Sequence, residues 1–180
     1  MKKFGVVFKM GYREEMNQVR KMLKKEMLKA GIKDFSITGS RGTAYDWTDI
    51  KKKSQKDWTP KEVKVLSEDF GYNVGHLSNA LLGRSHQIKA MLYGYKARKF
   101  KKSPKYQMFK NEFINEGMKA IDGGTCVGGA GTIIKKEGKP IDFIRQMGQG
   151  ERRSYVAEKI MQKRAKALGL ELEHEGGWMD

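Results

Sequence analysis

Trp58-Thr59-Pro60-Lys61-Glu62-Val63-Lys64-Val65-Leu66-Ser67-Glu68-Asp69-Phe70-Gly71 is the stretch from which the organisation of the chain follows. Thr59 with Glu62 three residues on has the form of a capping box. The hydroxyl accepts from the Glu62 amide, and the carboxylate reaches back to the Thr59 amide. Pro60 falls at the first helical position, where its missing N–H costs nothing. Trp58 and Val63 occupy the N′ and N4 positions of a hydrophobic staple, and Val63, Leu66 and Phe70 carry one apolar face to Gly71. The spacing predicts a helix that starts at Pro60 and stops at Gly71.

Downstream, the pattern predicts a second short helix over residues 74–82, with Leu77 and Leu81 inward and Gly83 as its stop. Ser85 caps a third helix, in which Ile88, Leu92 and Tyr95 form the buried stripe. Three short helices joined by glycine turns match the helix-turn-helix plan. Lys96-Ala97-Arg98-Lys99-Phe100-Lys101-Lys102-Ser103-Pro104-Lys105 follows, with six basic residues in ten positions.

Upstream lies a lysine-rich linker, Lys51-Lys52-Lys53-Ser54-Gln55-Lys56. Before it, residues 4–9 read as a strand with Phe4, Val6 and Phe8 on one face. Residues 14–30 read as a helix with Met16, Val19, Met22, Leu23 and Met27 at helical spacing and Gly31 as its stop. Residues 35–38 and 44–50 read as two further strands around a Gly39-Ser40-Arg41-Gly42 turn. On the far side, residues 106–121 form a predicted helix with Phe109, Phe113 and Ile121 inward. Strands over 125–135 and 141–146 join at Lys136-Glu137-Gly138-Lys139. A last helix over 154–168 places Val156, Ile160 and Ala167 in register, and 170–172 return to a sheet. The class is α+β, in three parts: a β-α-β-β N-terminal segment (1–55), a trihelical insert with its basic tail (56–105), and an α-β-β-α C-terminal segment (106–180).

Charge narrows the partners. The 180 residues carry 37 Lys/Arg against 21 Asp/Glu, a net charge of +16. Residues 1–57 hold 15 basic and 7 acidic side chains, residues 58–105 hold 10 and 3, and residues 106–180 hold 12 and 11. The excess sits in the first 105 residues, an electrostatic footprint for a polyanion.

Other classes are disfavoured. No apolar run approaches the ~18 residues of a membrane span, and Met1-Lys2-Lys3-Phe4-Gly5 leads into no apolar signal core. Cys126 is the only cysteine, so a disulfide within the chain is impossible, which fits a reducing cytoplasm. His76, His86 and His174 are scattered and form no metal-ligand spacing. The glycine-rich residues 123–132 lack the Gly-Lys-Ser/Thr ending of a phosphate loop and read as a bulged strand. Neither a cofactor nor a metal is expected, and with no catalytic constellation the chain is expected not to be an enzyme.

Trp58-Thr59-Pro60, Leu66, Leu77, Leu82-Gly83-Arg84-Ser85 and Ile88 together resemble the Myb/SANT-like helix-turn-helix, a module that recurs in phage and mobile-element proteins. The resemblance implies a DNA-binding unit whose third helix enters the major groove, with His86, Gln87, Lys89, Ala90 and Tyr93 at its exposed positions. Gln87 then suits adenine and Lys89 guanine, while Arg84 and Ser85 are placed for phosphates. Lys96, Arg98, Lys99, Lys101, Lys102 and Lys105 would add salt-dependent contacts to the backbone. Residues 36–50, Ser36-Ile37-Thr38-Gly39-Ser40-Arg41-Gly42-Thr43-Ala44-Tyr45-Asp46-Trp47-Thr48-Asp49-Ile50, are similar to a segment of the large polyvalent protein-associated domains of phages and conjugative elements. In length, charge and the pairing of these modules the chain resembles the type II-A anti-CRISPR proteins. That likeness implies double-stranded DNA and the type II CRISPR effector nuclease as partners. A homodimer is expected on either reading, and a transcriptional or replication regulator is the alternative.

Overall fold

A computed structural model describes residues 11–39, 47–72, 80–117, 125–126, 131–145, 155–175 and 178–179. The strand expected over residues 4–9 lies outside the described residues, as do the Ser40-Arg41-Gly42 part of the first turn and the inward position expected for Ile121.

Helix α1 (Tyr12–Lys29) buries Met16, Val19, Leu23 and Met27 at intervals of three and four, which is the face the sequence predicts. Met22 stays on the outer side, 40% exposed. Gly31 ends the helix at φ 90°, a left-handed conformation open to glycine, and Ile32 donates back to the Met27 carbonyl at 3.1 Å. Strands β1 (Ser36–Gly39) and β2 (Trp47–Lys51) pair antiparallel, with Ile37 opposite Ile50. Helix α2 (Pro60–Glu68) starts on the predicted capping box: the Glu62 amide donates to Thr59 Oγ1 at 3.3 Å and the Thr59 amide to Glu62 Oε2 at 2.8 Å. Trp58, Leu66 and Phe70 are buried under it.

The middle of the expected trihelical unit departs from expectation. Residues 80–82 were assigned to a second helix, but Ala80–Arg84 is strand β3, antiparallel to β2 from Lys51↔Ala80 to Trp47↔Arg84. Residues 73–79 lie outside the described set. The reason is tertiary. With β1 on one side only, β2 presents a row of N–H and C=O groups that the Ala80-Leu81-Leu82-Gly83 run satisfies by pairing. The sheet order is β1-β2-β3, so residues 80–84 complete the N-terminal sheet instead of ending a helix.

Helix α3 (Ser85–Lys96) leaves β3 directly, and α4 (Arg98–Lys101) and α5 (Pro104–Gly117) continue the chain. Then come β4 (Thr125–Cys126), β5 (Gly131–Lys136), β6 (Lys139–Arg145), α6 (Tyr155–Ala167), β7 (Leu170–Glu175) and β8 (Trp178–Met179). The second sheet has the order β6-β5-β7, all antiparallel. Its hairpin turns through Glu137 and Gly138 at φ 52° and 71°, two successive left-handed residues that match the twist of the flanking strands. Strands β4 and β8 form a separate antiparallel pair. Gly131 lies where a Cβ would come within 2.6 Å of the Phe143 ring, so a close approach across the strands requires glycine there.

Helix α6 is rotated from its expected register. Met161 and Ala165 are buried, whereas Ile160 is 45% exposed and Ala167 is exposed. Arg164, four residues after Ile160, pairs with Glu112 of α5, which fixes that side of the helix outward.

Two apolar cores result. The first joins α1, β2, α2 and α3, and so draws on both sides of the division expected at residue 55. The second joins α5, β5, β6 and α6, with Tyr93, Ala97 and Phe100 of the insert packed against it. Helix α3 lies between them, against α1 on one side and β6 on the other.

Candidate nucleic-acid interface

That position decides what α3 can touch. Ile88, Ala90, Met91, Leu92, Gly94 and Tyr95 are all buried. Beyond the predicted stripe of Ile88, Leu92 and Tyr95, the small and apolar residues Ala90, Met91 and Gly94 make a second inward face. A helix apolar on most sides belongs in an interior. At Gly94 a Cβ would overlap the Ile141 carbonyl oxygen, so the β6 backbone rests directly on the helix.

The expected groove-facing residues are therefore occupied inside the molecule. The His86 ring lies 4.9 Å from that of Phe143. Gln87 Oε1 accepts from the Arg84 amide at 2.9 Å, capping the helix. Lys89 pairs with Glu15 at 2.7 Å and lies over the Tyr12 ring. Ala90 is 5% exposed, and Tyr93 is half-buried. Arg84 stands over the Trp47 ring at 5.2 Å, and Ser85 is partly buried at the start of α3. Of the exposed face expected on this helix, Ala90 is buried, and His86, Gln87, Lys89 and Tyr93 are only partly exposed where β6 and α1 pack against the helix.

The basic tail divides. Lys96, Lys99, Lys102 and Lys105 are exposed at three-residue intervals through the α3–α4–α5 connection. Arg98 is held by the helix end, donating to the Tyr95 carbonyl at 2.8 Å and lying 4.1 Å over the Tyr95 ring. Lys102 meets Asp69 at 2.5 Å while its side chain remains 56% exposed.

Lys101, expected as a phosphate contact, turns inward instead, and its side chain is only 8% exposed. The lack of side chains at Gly71 and Gly94 makes room for its ammonium: a Cβ at either would come within 2.8 and 3.0 Å of Nζ. Asp142 Oδ1 lies 3.9 Å away. The other oxygen, Oδ2, accepts from the Tyr106 hydroxyl and the Lys110 ammonium, both at 2.8 Å. Burial pulls the Lys101 ammonium below its ordinary value, and Lys110 adds to this, while Asp142 only partly offsets it. Burial alone would raise Asp142, but Lys101, Lys110 and Tyr106 together hold it below the usual carboxylate value. The group is a structural ion cluster joining α4, α5 and β6.

Two site residues escaped the sequence reading. The β5–β6 hairpin carries Lys136 and Lys139 back against α3 and α4, with Lys136 over the Phe100 ring at 5.1 Å and Lys139 over the Tyr93 ring at 5.7 Å. Lys96 lies over the same Tyr93 ring at 5.9 Å. Exposed Lys96 and Lys139 and the half-buried Lys136, which also pairs with Glu137, thus lie against two aromatic rings along the seam between the insert and the second sheet. The turn was legible in Lys136-Glu137-Gly138-Lys139, but its place beside Phe100 depends on contacts forty residues apart in the chain.

Among the described residues no helix is long and apolar enough to cross a membrane. Comparison with protein families, with curated proteins and with solved structures finds no match to this chain.

Proposed function

We propose that the protein binds double-stranded DNA through its phosphates and, as a protein of a phage or mobile element, inhibits the type II RNA-guided effector nuclease in the bacterial cytoplasm. The observation that carries the DNA reading is the lysine seam: Lys96, Lys99, Lys102 and Lys105 in a row, with Lys136 and Lys139 beside them. Each phosphate neutralised releases counterions, so such a row gives affinity without reading sequence. Engagement of the partly exposed Gln87 and Lys89 in internal contacts favours a sequence-neutral grip over base recognition. The effector must hold duplex DNA in a basic channel while it opens it, and a competing cationic surface that engages both stops capture or cleavage. In this reading the protein acts as a homodimer, with Met108, 72% exposed, among the side chains a second copy covers.

The test compares the parent with Lys99→Ala/Lys139→Ala in gel shifts on unrelated duplexes and in a protection assay with the effector. Loss of affinity that is equal on every duplex, with loss of protection, supports the proposal. A strong preference for one sequence points instead to the regulator reading, and an absence of protection by the parent removes the inhibitor reading.

A further inference from the structure

Trp47 is out of place for a tryptophan that serves only packing. On β2 the side chains alternate, with Thr48 and Ile50 buried toward α1 and α3 and Trp47, Asp49 and Lys51 on the opposite face. The register sets Arg84 across from Trp47, Thr38 across from Asp49 and Ser36 across from Lys51, so these six share the outward face of the sheet. Trp58, by contrast, is 2% exposed inside the first core. A large ring standing partly open on the middle strand of a three-stranded sheet, with a guanidinium 5.2 Å over it, has the chemistry of a stacking platform.

We propose that this outward face is a second nucleic-acid surface, which takes unpaired bases: Trp47 and the Arg84 guanidinium plane stack a base, and Arg84, Lys53 and Lys56 hold the flanking phosphates. Every base has a π-face, so stacking of this kind tolerates sequence and needs a single strand, since in a duplex those faces are covered. The charge is complementary. Asp49 is bridged to Lys51 at 2.6 Å, while Lys53 and Lys56 are exposed beyond the Lys51 end of β2, opposite the Trp47 end, where they meet phosphates further along the strand than the one beside Arg84. Hydroxyls of Ser36 and Thr38 supply donors on the same face. The proposal stands apart from the duplex-binding reading: it uses a different sheet, different residues and a different strand state.

The experiment measures binding of the full-length protein to a thymine oligonucleotide and to a mixed-sequence duplex. Trp47→Ala is expected to weaken the oligonucleotide about ten-fold and to leave the duplex unchanged. Trp47→Phe keeps a ring and is expected to stay within about two-fold. Oligonucleotide binding should quench tryptophan emission in the parent and not in Trp47→Phe, which keeps the test intact if the alanine variant does not fold. Arg84→Gln is expected to weaken the oligonucleotide and spare the duplex. Unchanged oligonucleotide affinity in Trp47→Ala, or equal losses on both nucleic acids, overturns the proposal. So does loss of effector capture with the oligonucleotide unaffected, which would make the face a protein-docking surface. Lys99→Ala/Lys139→Ala, read on the duplex alone, tests the seam separately.

Discussion

Asp142 holds three partners from two helices while 1% exposed, and the cost of removing it follows from what it leaves behind. Asp142→Ala strands the buried Lys101 ammonium and the Tyr106 phenol in an apolar interior and removes the partner of the partly exposed Lys110. The expected loss is about 3–5 kcal/mol of unfolding free energy, measured by urea denaturation. Lys101→Met keeps the apolar stem and removes the ammonium, leaving Asp142 balanced by Lys110. That change is expected to cost less than about 2 kcal/mol. The two groups also act at opposite ends of the pH scale. Asp142 titrates below its ordinary 3.8 in the folded protein, so its contribution is present above that value and lost as pH falls through the folded value. Lys101 is depressed from 10.5, so between its folded value and 10.5 the unfolded chain binds more protons and stability rises with pH. Lys101→Met should flatten that alkaline rise and leave the acid limb in place, as read from melting temperatures between pH 3 and about 10.

Helix α3 is where elements meet, and Gly94 is its closest contact with β6. Gly94→Ala forces the β6 backbone away from the helix and is expected to destabilise by roughly 1–3 kcal/mol, although alanine is the better helix former. At α2, Thr59→Ala removes one cap bond and is expected to cost about 1 kcal/mol; both are read from chemical denaturation. The contrast shows which features the sequence makes legible. The Thr59/Glu62 cap, the α1 stripe ending at Gly31 and the Glu137-Gly138 turn depend on residues within a few positions, and each appears where the sequence places it. Strand β3 was hidden because its pairing partner lies thirty residues upstream, and nothing local in Ala80-Leu81-Leu82 records that β2 has a free edge. The α3 surface was misread because Ala90 and Gly94 look neutral in sequence, yet small residues are what allow a second backbone to approach. Of the candidate site, the exposed lysines at 96, 99, 102 and 105 were visible. The inward turn of Lys101 and the arrival of Lys136 and Lys139 were not, since both depend on β6.

At the scale of the molecule, charge and architecture separate. The positive excess belongs to the first 105 residues, yet the second sheet supplies lysines to the seam and one wall of α3. Duplex affinity should fall steeply with salt, with a log–log slope of roughly −0.9 per phosphate contacted. Lys99→Ala/Lys139→Ala should make that slope shallower by up to about two contacts, and titrations at several salt concentrations measure it. A fragment spanning residues 56–105 is expected not to fold, because α3 loses α1 and β6 together; circular dichroism without a cooperative melt is the outcome to look for. The same arrangement sets a schedule during synthesis. The apolar second face of α3 is complete at Lys96, but the strand that covers it ends at Arg145. A ribosome adding ~5–20 residues per second needs roughly 2–10 s to make that stretch. For those seconds the nascent chain carries an uncovered Ala90–Gly94 surface next to a lysine tail, the stage of synthesis at which chaperone capture is expected to matter most.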